Sequence, residues 1–402
     1  MTTTKYHLAV LCASISAFLD LYSTQAIYPA LHSRFGIGPA GTGALIMAST
    51  IGIAVASPLA GLLTERIGSR KASFIGLVLL ILLSFSVSFL KDLHWLLGIR
   101  FLSGLVIPIV LSSLLASVHL TSEVGDEVSV SATYVSGTII GGIAGRYLPA
   151  LLVPLLGWTP ASIVFSGVHL ILFIFTVLLL PVSTNPAPSG SIDLRLDVFR
   201  RAWTESLRAK FLAGFCLLFC QTAVFTYIVI RLYVAPFNLD YSTLGALYLV
   251  FLPPLILIRF IPRLRKRVEA KTLLLAAVIG GWCGLLLTIS NTFWVVLAGL
   301  AVFSTAVFVA QTVLANEIGA DASAPKAVSA GMYLFFYYLG WSLGALAPAL
   351  FWSSFGWNGC LILLCLVQLT GFALSKNHWY KKQHDLIPKM RELLLIDLKE
   401  KT

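Results

Sequence analysis

The feature that most constrains this chain is a succession of long apolar runs separated by short polar segments. A helix that crosses a bilayer needs about 20 largely apolar residues. The sequence contains twelve such runs, six on each side of a longer polar link, at residues 8–30, 41–64, 72–90, 94–118, 129–155, 160–181, 211–234, 243–261, 272–290, 293–315, 329–354 and 358–375. Because a helix satisfies its own backbone hydrogen bonds in lipid, the pattern predicts an all-α membrane protein with twelve transmembrane helices.

The composition supports a membrane-embedded chain. Hydrophobic residues make up 58% and charged residues 11% of the 402 residues, whereas a soluble protein carries about 25% charged residues. Cys216 and Cys220 lie one helical turn apart, but no His or further Cys stands nearby to complete a metal set, so we expect no metal and no cofactor. The first apolar run is too long for a cleaved signal peptide, and we expect it to be retained as the first helix.

The positive charges are distributed so unevenly that they indicate an orientation. With the amino terminus in the cytoplasm, 22 of the 28 Lys and Arg residues fall on the cytoplasmic side, and only Arg34 and Lys91 fall outside. Basic residues concentrate on the cytoplasmic side of membrane proteins, so both termini are predicted to be cytoplasmic. Topology then explains the net charge of +11, and we expect a lipid bilayer rather than nucleic acid as the partner.

The polar link divides the chain into two units. We predict an amino-terminal six-helix bundle over 1–181, a cytoplasmic linker over 182–210, a carboxy-terminal six-helix bundle over 211–375 and a basic cytoplasmic tail over 376–402. Within the linker, Leu194–Leu207 has the pattern of an amphipathic helix that lies on the membrane surface.

The two units repeat one another. Ser131–Trp158 and Ser329–Trp357 share Ala, Gly, Pro and Trp residues at an offset of 198 to 199 positions, and Gly43-Ala44-Leu45 matches Gly245-Ala246-Leu247 at an offset of 202. Since six helices lie in each copy, the two pseudo-repeats are expected to run parallel across the membrane. Parallel repeats with a binding site near the midplane between them are a recurrent plan of transporters.

The turn between predicted helices two and three carries a motif of its own. Its glycines permit a tight turn, and its acidic residue beside arginines can form a breakable ion pair. The motif consists of Gly61, Glu65, Arg66, Gly68 and Arg70. It resembles the signature loop of the major facilitator superfamily, which has Asp where this chain has Glu65 and Arg where it has Ser69. The resemblance implies a conformational latch. The alternative is a charged turn that only anchors the topology.

Two further stretches resemble motifs of the same superfamily. Arg100-Phe101-Leu102-Ser103-Gly104 is similar to its Arg-x-x-x-Gly element in helix four, and Ser136–Arg146 is similar to the glycine-rich fifth-helix motif of its antiporters. Together with Asp20–Gln25 in helix one, the first half looks most like the exporters of sugars and drugs in bacterial inner membranes. The resemblance implies a proton-coupled antiporter in that membrane.

Five ionisable residues other than histidine interrupt the apolar runs, where an unpaired charge is costly. They are Asp20, Arg100, Arg146, Arg231 and Arg259. The last two lie near helix ends and can reach the interface with water. The first three lie about 15, 9 and 13 Å from the outer ends of their helices, at 1.5 Å per residue. We predict that these three share a polar network that couples proton and solute movement. A purely structural ion pair is the alternative.

Polar and aromatic side chains mark candidate faces of a solute cavity. The residues predicted to bind solute are Tyr22, Gln25, Arg100, Gln221, Tyr227, Gln311 and Tyr337. The glutamines are favoured because an unpaired amide in hydrocarbon is costly. Tyr337, Tyr338 and Trp341 form an aromatic stripe that helix packing also explains. His169, near mid-depth in helix six, is interpreted as a packing residue.

These features predict a monomeric secondary active transporter that works by alternating access. The excess of arginine over acid in its core favours a small organic solute of negative charge. Proton-coupled efflux is the first hypothesis, and proton-coupled uptake of an organic anion, such as a carboxylated metabolite or a metal chelate, is the alternative. The sequence has no convergent catalytic cluster and no nucleotide-binding loop, so we do not expect an enzyme.

The predicted orientation can be tested with single cysteines in a chain from which the six native cysteines have been removed. Ser69→Cys should react with impermeant thiol reagents only from the cytoplasmic side, and Asn291→Cys only from the periplasmic side, because the basic segments place these turns on opposite faces. Labelling of both positions from the same face would contradict the orientation.

Overall fold

The computed structural model describes residues 2–121, 127–179, 203–258, 260–265, 267–319 and 326–400. Within these ranges the chain forms helices and turns and contains no β-strand. Its helices are α1 (Thr2–Tyr22), α2 (Tyr28–Phe35), α3 (Pro39–Ile67), α4 (Ser69–Ser86), α5 (Leu93–Thr121), α6 (Glu127–Leu156), α7 (Trp158–Leu179), α8 (Glu205–Tyr233), α9 (Tyr241–Ala246), α10 (Leu252–Ile258), α11 (Ile261–Arg265), α12 (Ala270–Leu287), α13 (Phe293–Gly319), α14 (Lys326–Leu346) and α15 (Pro348–Glu400), with 3₁₀ turns at Val87–Phe89 and Leu247–Phe251.

Nine helical segments in the described part of the chain are long and apolar enough to cross a membrane. They coincide with nine of the twelve predicted runs. The other three runs contain α1, the succession of α9 and α10, and α14. The prediction of an all-α membrane protein is confirmed, whereas the count of twelve spans, which includes these three runs, stays a prediction. Of the predicted linker 182–210, only residues from 203 onward are described, so most of the amphipathic segment lies outside the described residues.

The first predicted run, 8–30, is not one continuous helix. α1 ends at Tyr22, and a turn leads to α2 at Tyr28. Pro29, in the first turn of α2, has no N–H with which to continue the hydrogen bonding of α1. In addition, a guanidinium from α5 occupies the last carbonyls of α1, as described below. Non-helical backbone at membrane depth is tolerated where it is buried in protein, and this turn is buried.

Prolines interrupt two further predicted runs, and a glycine breaks the helix that follows the second of them. The run 243–261 is divided by a 3₁₀ turn, and α10 starts afresh with Pro253 in its first turn. The run 329–354 ends at Leu346, because Pro348 begins a new helix there. α15 is itself broken at Gly356, whose φ of +57° lies in the left-handed region that favours glycine. Beyond the break, its backbone is helical to Glu400 through the predicted tail.

The repeated glycines of the two halves make equivalent helix contacts. Gly145 on α6 lies against the backbone of Leu19 on α1, and Gly344 on α14 lies against the backbone of Phe219 on α8. One turn earlier the same contacts recur, between Gly141 and Ile15 and between Gly340 and Phe215. A Cβ at any of these glycines would overlap a backbone carbonyl of the facing helix, so only glycine allows this approach.

The repeated Gly-Trp pairs are equivalent as well. Gly157 and Gly356 both have positive φ, +80° and +57°. The tryptophan that follows each glycine donates its indole N–H to the end of a neighbouring helix: Trp158 to the carbonyl of Val87 (3.1 Å) and Trp357 to the hydroxyl of Thr288 (3.0 Å). The second half therefore repeats the packing of the first half, as the sequence offsets predicted.

The halves meet along two helix pairs that the same repeat relates. α3 packs on α14, and α9 packs on α6. In the first pair Gly43 lies against the backbone of Ala345, and in the second Gly245 lies against Ala150. These two glycines are the ones that match in the repeated Gly-Ala-Leu segments. The contact is a close approach of small residues, which leaves room for little else at these points.

The glycine packing within a half can be tested by comparing two substitutions of equal size. Gly145→Val would place methyl groups against the Leu19 carbonyl, and we expect it to lower the free energy of unfolding by about 1–3 kcal/mol, the cost of overpacking. Gly167→Val on α7 is the control, because nothing lies within 4 Å of a Cβ at that position. Thermal unfolding of the purified proteins in detergent measures both, and an equal effect of the two changes would contradict the packing role.

Candidate functional site

A buried arginine from α5 holds the end of α1. Arg100 Nη1 donates to the carbonyl oxygen of Asp20 (2.9 Å), and Nη2 donates to that of Leu21 (2.9 Å). The same nitrogens also reach the hydroxyls of Ser23 (3.2 Å) and Ser49 (3.3 Å). A helix leaves its last carbonyls unsatisfied, and a cation there is favourable. Arg100 therefore fixes the point at which α1 ends.

The same guanidinium forms an ion pair with Asp20. Arg100 Nη1 lies 3.1 Å from Asp20 Oδ2, and both side chains are at most 4% exposed. Of the two arginines predicted as partners of this carboxylate, Arg100 is the one in contact. A buried charge without its partner is costly, so each residue depends on the other. Arg100 nevertheless keeps its carbonyl contacts whether or not the carboxylate is charged.

Arg146 lies in an aromatic cage between the halves. Its guanidinium carbon is 3.4 Å from the ring centroid of Tyr22 on α1, 4.4 Å from that of Tyr248 and 5.2 Å from that of Phe251. Tyr248 and Phe251 belong to the 3₁₀ turn of the second half. Such cation–π contacts contribute up to about 2 kcal/mol each when they are desolvated. One residue from α6 thus joins elements of both halves.

The hydrogen bonds of Arg146 go to neutral groups. Nε donates to Gln25 Oε1 (2.7 Å), and Nη1 donates to the carbonyl of Gly142 (2.8 Å). Within the described part of the chain, no carboxylate lies within ion-pair distance of this guanidinium. Arg146 is 4% exposed. The sequence predicted one network of three charges, but the structure has an ion pair, Asp20–Arg100, and a separate buried cation on the far side of Tyr22.

An aromatic cluster continues from Tyr22 into α14. Its ring centroids are 5.1 Å apart between Tyr22 and Trp341, 5.8 Å between Trp341 and Tyr338, and 5.7 Å between Tyr338 and Tyr337. Gln311 on α13 lies beside the Tyr337 hydroxyl. Two buried polar atoms in this cluster, Trp341 Nε1 and Gln311 Oε1, have no hydrogen-bond partner among the described residues. Such atoms need a partner, which a polar solute can supply.

Tyr227 and Gln221, also predicted to bind solute, lie on α8. The Tyr227 hydroxyl donates to the carbonyl of Ala345 (3.0 Å) and thereby satisfies the end of α14. Its ring packs 5.9 Å from that of Trp352. Gln221 occupies a half-buried position on the same helix. The structure brings Tyr22, Gln25, Gln311 and Tyr337 into the region of Arg146 and the aromatic cluster, whereas the Tyr227 hydroxyl is already bonded within the protein.

His169 on α7 is fully buried close to the ion pair. Its Nδ1 lies 2.8 Å from the Ser16 hydroxyl on α1, and its ring meets that of Phe165 edge-on at 5.2 Å. Asp20 and Arg100 are near enough to act on it electrostatically. Its Nε2 has no hydrogen-bond partner among the described residues. The prediction that it serves only for packing stays a prediction.

The motif between α3 and α4 is described only in part. Gly68 ends α3 with a φ of +84°, a conformation that suits glycine. Arg66 is exposed and Arg70 is half-buried. Gly61 and the side chain of Glu65 lie outside the residues described in detail, so the predicted latch stays a prediction.

The sequence motifs did not point to Tyr248 and Phe251. These residues approach Arg146 only because α9 packs on α6, through Gly245 against Ala150. A usable signal was nevertheless present, since an aromatic residue with a hydroxyl directly follows the repeated Gly-Ala-Leu segment in an apolar run. The repeated Gly-Ala-Leu segment marks the place where α9 packs on α6. The side chains next to it are candidates for the interface between the halves.

Two bacterial membrane proteins are similar in sequence to this chain over most of its length. The chain is 28% identical over 375 residues to the uncharacterized MFS-type transporter YybF of Bacillus subtilis (strain 168), and the match covers 92% of each chain. It is 28% identical over 377 residues to the inner membrane transport protein YnfM of Escherichia coli (strain K12), with coverage of 92% of this chain and 90% of YnfM.

Two further similarities are narrower. The 4-hydroxybenzoate transporter PcaK of Pseudomonas aeruginosa is 29% identical over 187 residues, which are 45% of this chain and 41% of PcaK. Among solved structures, the nucleoside transporter NupG superposes with a TM-score of 0.76 at 15% identity, covering 92% of this chain and 98% of NupG. At that identity the likeness concerns the fold alone.

The family match spans most of the chain. Residues 10–345 match the family described as the Major Facilitator Superfamily. This range includes α1 from residue 10 onward, the 3₁₀ turn with Tyr248 and Phe251, and nearly all of α14. The two parallel repeats, the contacts between them and the buried polar site at their boundary agree with this match. The chain belongs to the Major Facilitator Superfamily and is a multi-pass membrane transporter of a small-molecule solute, not an enzyme.

Proposed function

We propose that this transporter moves a small organic anion across the bacterial inner membrane by alternating access, coupled to protons, as a monomer with both termini in the cytoplasm. The observation that carries the proposal is Arg146, a buried cation between the halves that contacts only neutral groups in the described part of the chain. A desolvated charge without a counterion is costly. An anionic solute would supply the missing charge.

The surroundings of Arg146 favour an anion that carries an aromatic ring. Tyr22 and Trp341 form a wall beside the guanidinium, and aromatic rings pack well in offset or edge-on arrangements. The free Trp341 N–H and the free Gln311 carbonyl oxygen can hydrogen-bond a polar substituent. The partial similarity to a transporter named for 4-hydroxybenzoate supports the same class, an aromatic carboxylate.

Alternating access requires that the halves rock against each other, and the contacts between them are suited to this motion. α3 meets α14, and α9 meets α6, through glycines and alanines. Contacts between such small residues can separate at these points at little cost. Arg146 bridges both halves through aromatic rings, so a solute at this residue would bias their relative position. In the proposal, Glu65 and Arg70 act as a latch that favours one of the two positions.

Protonation of Asp20 would change the charge near the solute site. With Asp20 charged, its pair with Arg100 is neutral, and Arg146 alone contributes a positive charge. With Asp20 protonated, Arg100 stays in place through the carbonyls of Asp20 and Leu21, and the region carries two positive charges. An anion then binds more tightly. By reciprocity of linkage, the bound anion also favours the protonated carboxyl.

This mutual reinforcement favours uptake, in which the anion and the proton cross together. Exchange of the anion for a proton would instead require the anion and the proton to compete, for example for one arginine. Asp20 and Arg146 have separate partners. Efflux is the second candidate. It rests on the resemblance of Ser136–Arg146 to the antiporter motif, although the glycines of this segment pack against α1.

Arg146→Gln tests the anion site. Loss of one charged hydrogen bond costs about 1.5–3 kcal/mol, so we expect the Kd for 4-hydroxybenzoate to rise by roughly tenfold to a hundredfold. Arg34→Gln is the control, because Arg34 lies at the surface on the carbonyl of Leu90. Calorimetric titration of purified protein measures both variants. An unchanged Kd in Arg146→Gln would remove the anion site from this residue.

Asp20→Asn tests the coupling. Asparagine keeps an acceptor for Arg100 but cannot titrate, so anion affinity should no longer increase as the pH is lowered, as we expect it to do in the wild type. In vesicles, an imposed proton gradient should no longer drive accumulation, while exchange without a gradient persists. Glu317→Gln is the control, since Glu317 pairs with Arg265 (2.8 Å) away from the site and its loss should leave the coupling intact.

The same vesicle assay determines the direction of solute transport. Accumulation of the anion on the side toward which protons flow indicates uptake with protons, and accumulation on the opposite side indicates efflux by exchange. A proton gradient that drives neither in the wild type would contradict proton coupling altogether.

A further inference from the structure

The first half contains a cavity on the side of α1 that faces away from the second half. It lies among α1, the end of α4, α5, α6 and α7. It is lined by Asp20, Ser23, Thr24, Ile27, Ser84, Val87, Leu96, Arg100, Pro149, Val153, Trp158, Ala161, Ser162 and Phe165. Arg146 and the aromatic cluster are absent from this lining. The cavity is therefore separate from the proposed solute site, although both adjoin the segment around Asp20.

The cavity has the size and the polarity that water requires. It leaves about 50 Å³ for the centres of water molecules, and a buried water needs roughly 10–15 Å³ measured in this way, together with polar partners. Two buried polar atoms of lining residues, Thr24 Oγ1 and Arg100 Nε, have no hydrogen-bond partner among the described residues. The hydroxyls of Ser84 and Ser162 belong to the same lining. A short chain of waters would satisfy these atoms.

The cavity extends from the ion pair toward one end of the bundle. Asp20 and Arg100 form its inner end, and Val87 and Trp158, at the junctions after α4 and before α7, form its outer end. The charge distribution assigns these junctions to the periplasmic side. Leu96 and Val153 add apolar side chains to the lining.

We propose that this cavity is a water chamber through which protons reach Asp20 from the periplasmic side, so that proton and anion approach the centre by separate routes. The proposal rests on the proton coupling proposed above. In the step, a hydronium ion in the chamber transfers its proton to an Asp20 carboxylate oxygen and becomes water. The carboxylic acid that forms no longer balances the charge of Arg100.

Other charged or titratable groups near Asp20 do not offer the same route. Arg100 faces it from α5 as the partner in its ion pair, and Arg146 on α6 packs against the ring of Tyr22. His169 faces it from α7, but Phe165 lines the chamber and packs edge-on against the imidazole, so an apolar ring stands between His169 and the water. Asp20 is thus the acceptor at the inner end of the chamber.

Filling the chamber tests the proposal without altering the ion pair or Arg146. Ser162→Leu and Ser84→Leu add apolar bulk to the lining, and Gly167→Leu adds it on the same helix as Ser162 where nothing lies within 4 Å. In reconstituted vesicles with 4-hydroxybenzoate, the two lining variants should slow accumulation driven by a proton gradient by about tenfold. Exchange of labelled for unlabelled anion without a gradient should match the wild type, which shows that the variants are folded. Gly167→Leu should match the wild type in both assays.

A second measurement uses the chamber's accessibility. In a background without native cysteines, Ser162→Cys should react with a small cationic thiol reagent from the periplasmic side, and the modification should stop gradient-driven accumulation but not exchange. Wild-type rates of accumulation in both lining variants, or an unreactive Ser162→Cys, would overturn the water chamber while leaving proton coupling in place. A wild type that shows no gradient-driven accumulation would overturn the coupling and the chamber together.

Discussion

The arrangement of the site depends on the bonds between Arg100 and the end of α1. A guanidinium buried at membrane depth must satisfy its donors inside the protein, and the two terminal nitrogens of Arg100 do so with two backbone carbonyls and a carboxylate of the first helix. Those carbonyls are available only because α1 stops at Tyr22. The bonds and the helix break therefore require each other. Around the break, side chains lie in two regions: Asp20 lines the cavity of the first half, and Tyr22 and Gln25 contact Arg146.

This division places two charges of like sign on either side of one turn without direct contact between them. Arg100 is neutralised by Asp20, whereas Arg146 is surrounded by rings and neutral acceptors. An electrostatic link between the two sites then needs no moving side chain, because a change in the charge of Asp20 alters the potential at Arg146 across a low-dielectric interior. That link is the physical basis on which the proposed coupling of proton and anion rests.

The repeat suits the proposed alternating access to the site. Equivalent glycines pack α6 on α1 and α14 on α8, and a second equivalent pair joins the two halves. Each half is thereby tightly packed within itself, since helices that touch backbone to backbone allow little internal adjustment. The halves also meet through larger side chains, since Arg146 lies over the rings of Tyr248 and Phe251 and Tyr22 packs on Trp341. In the proposed mechanism each half moves as a unit across this boundary.

The sequence by itself determined the membrane environment, the helical class and the two parallel repeats, because hydrophobic length and glycine spacing are local properties that lipid and close helix packing require directly. It also determined that Asp20, Arg100 and Arg146 need partners, since a charge in an apolar run is costly wherever it lies. Tertiary structure alone decided which partners they have. The depth along a helix is readable from the chain, but the direction in which a side chain points depends on the rotation of each helix about its axis and on the breaks at Tyr22 and in the 3₁₀ turn after α9. Those depend largely on packing between segments about 80 to 120 residues apart, and for that reason Arg146 meets Tyr248 and Phe251 instead of Asp20.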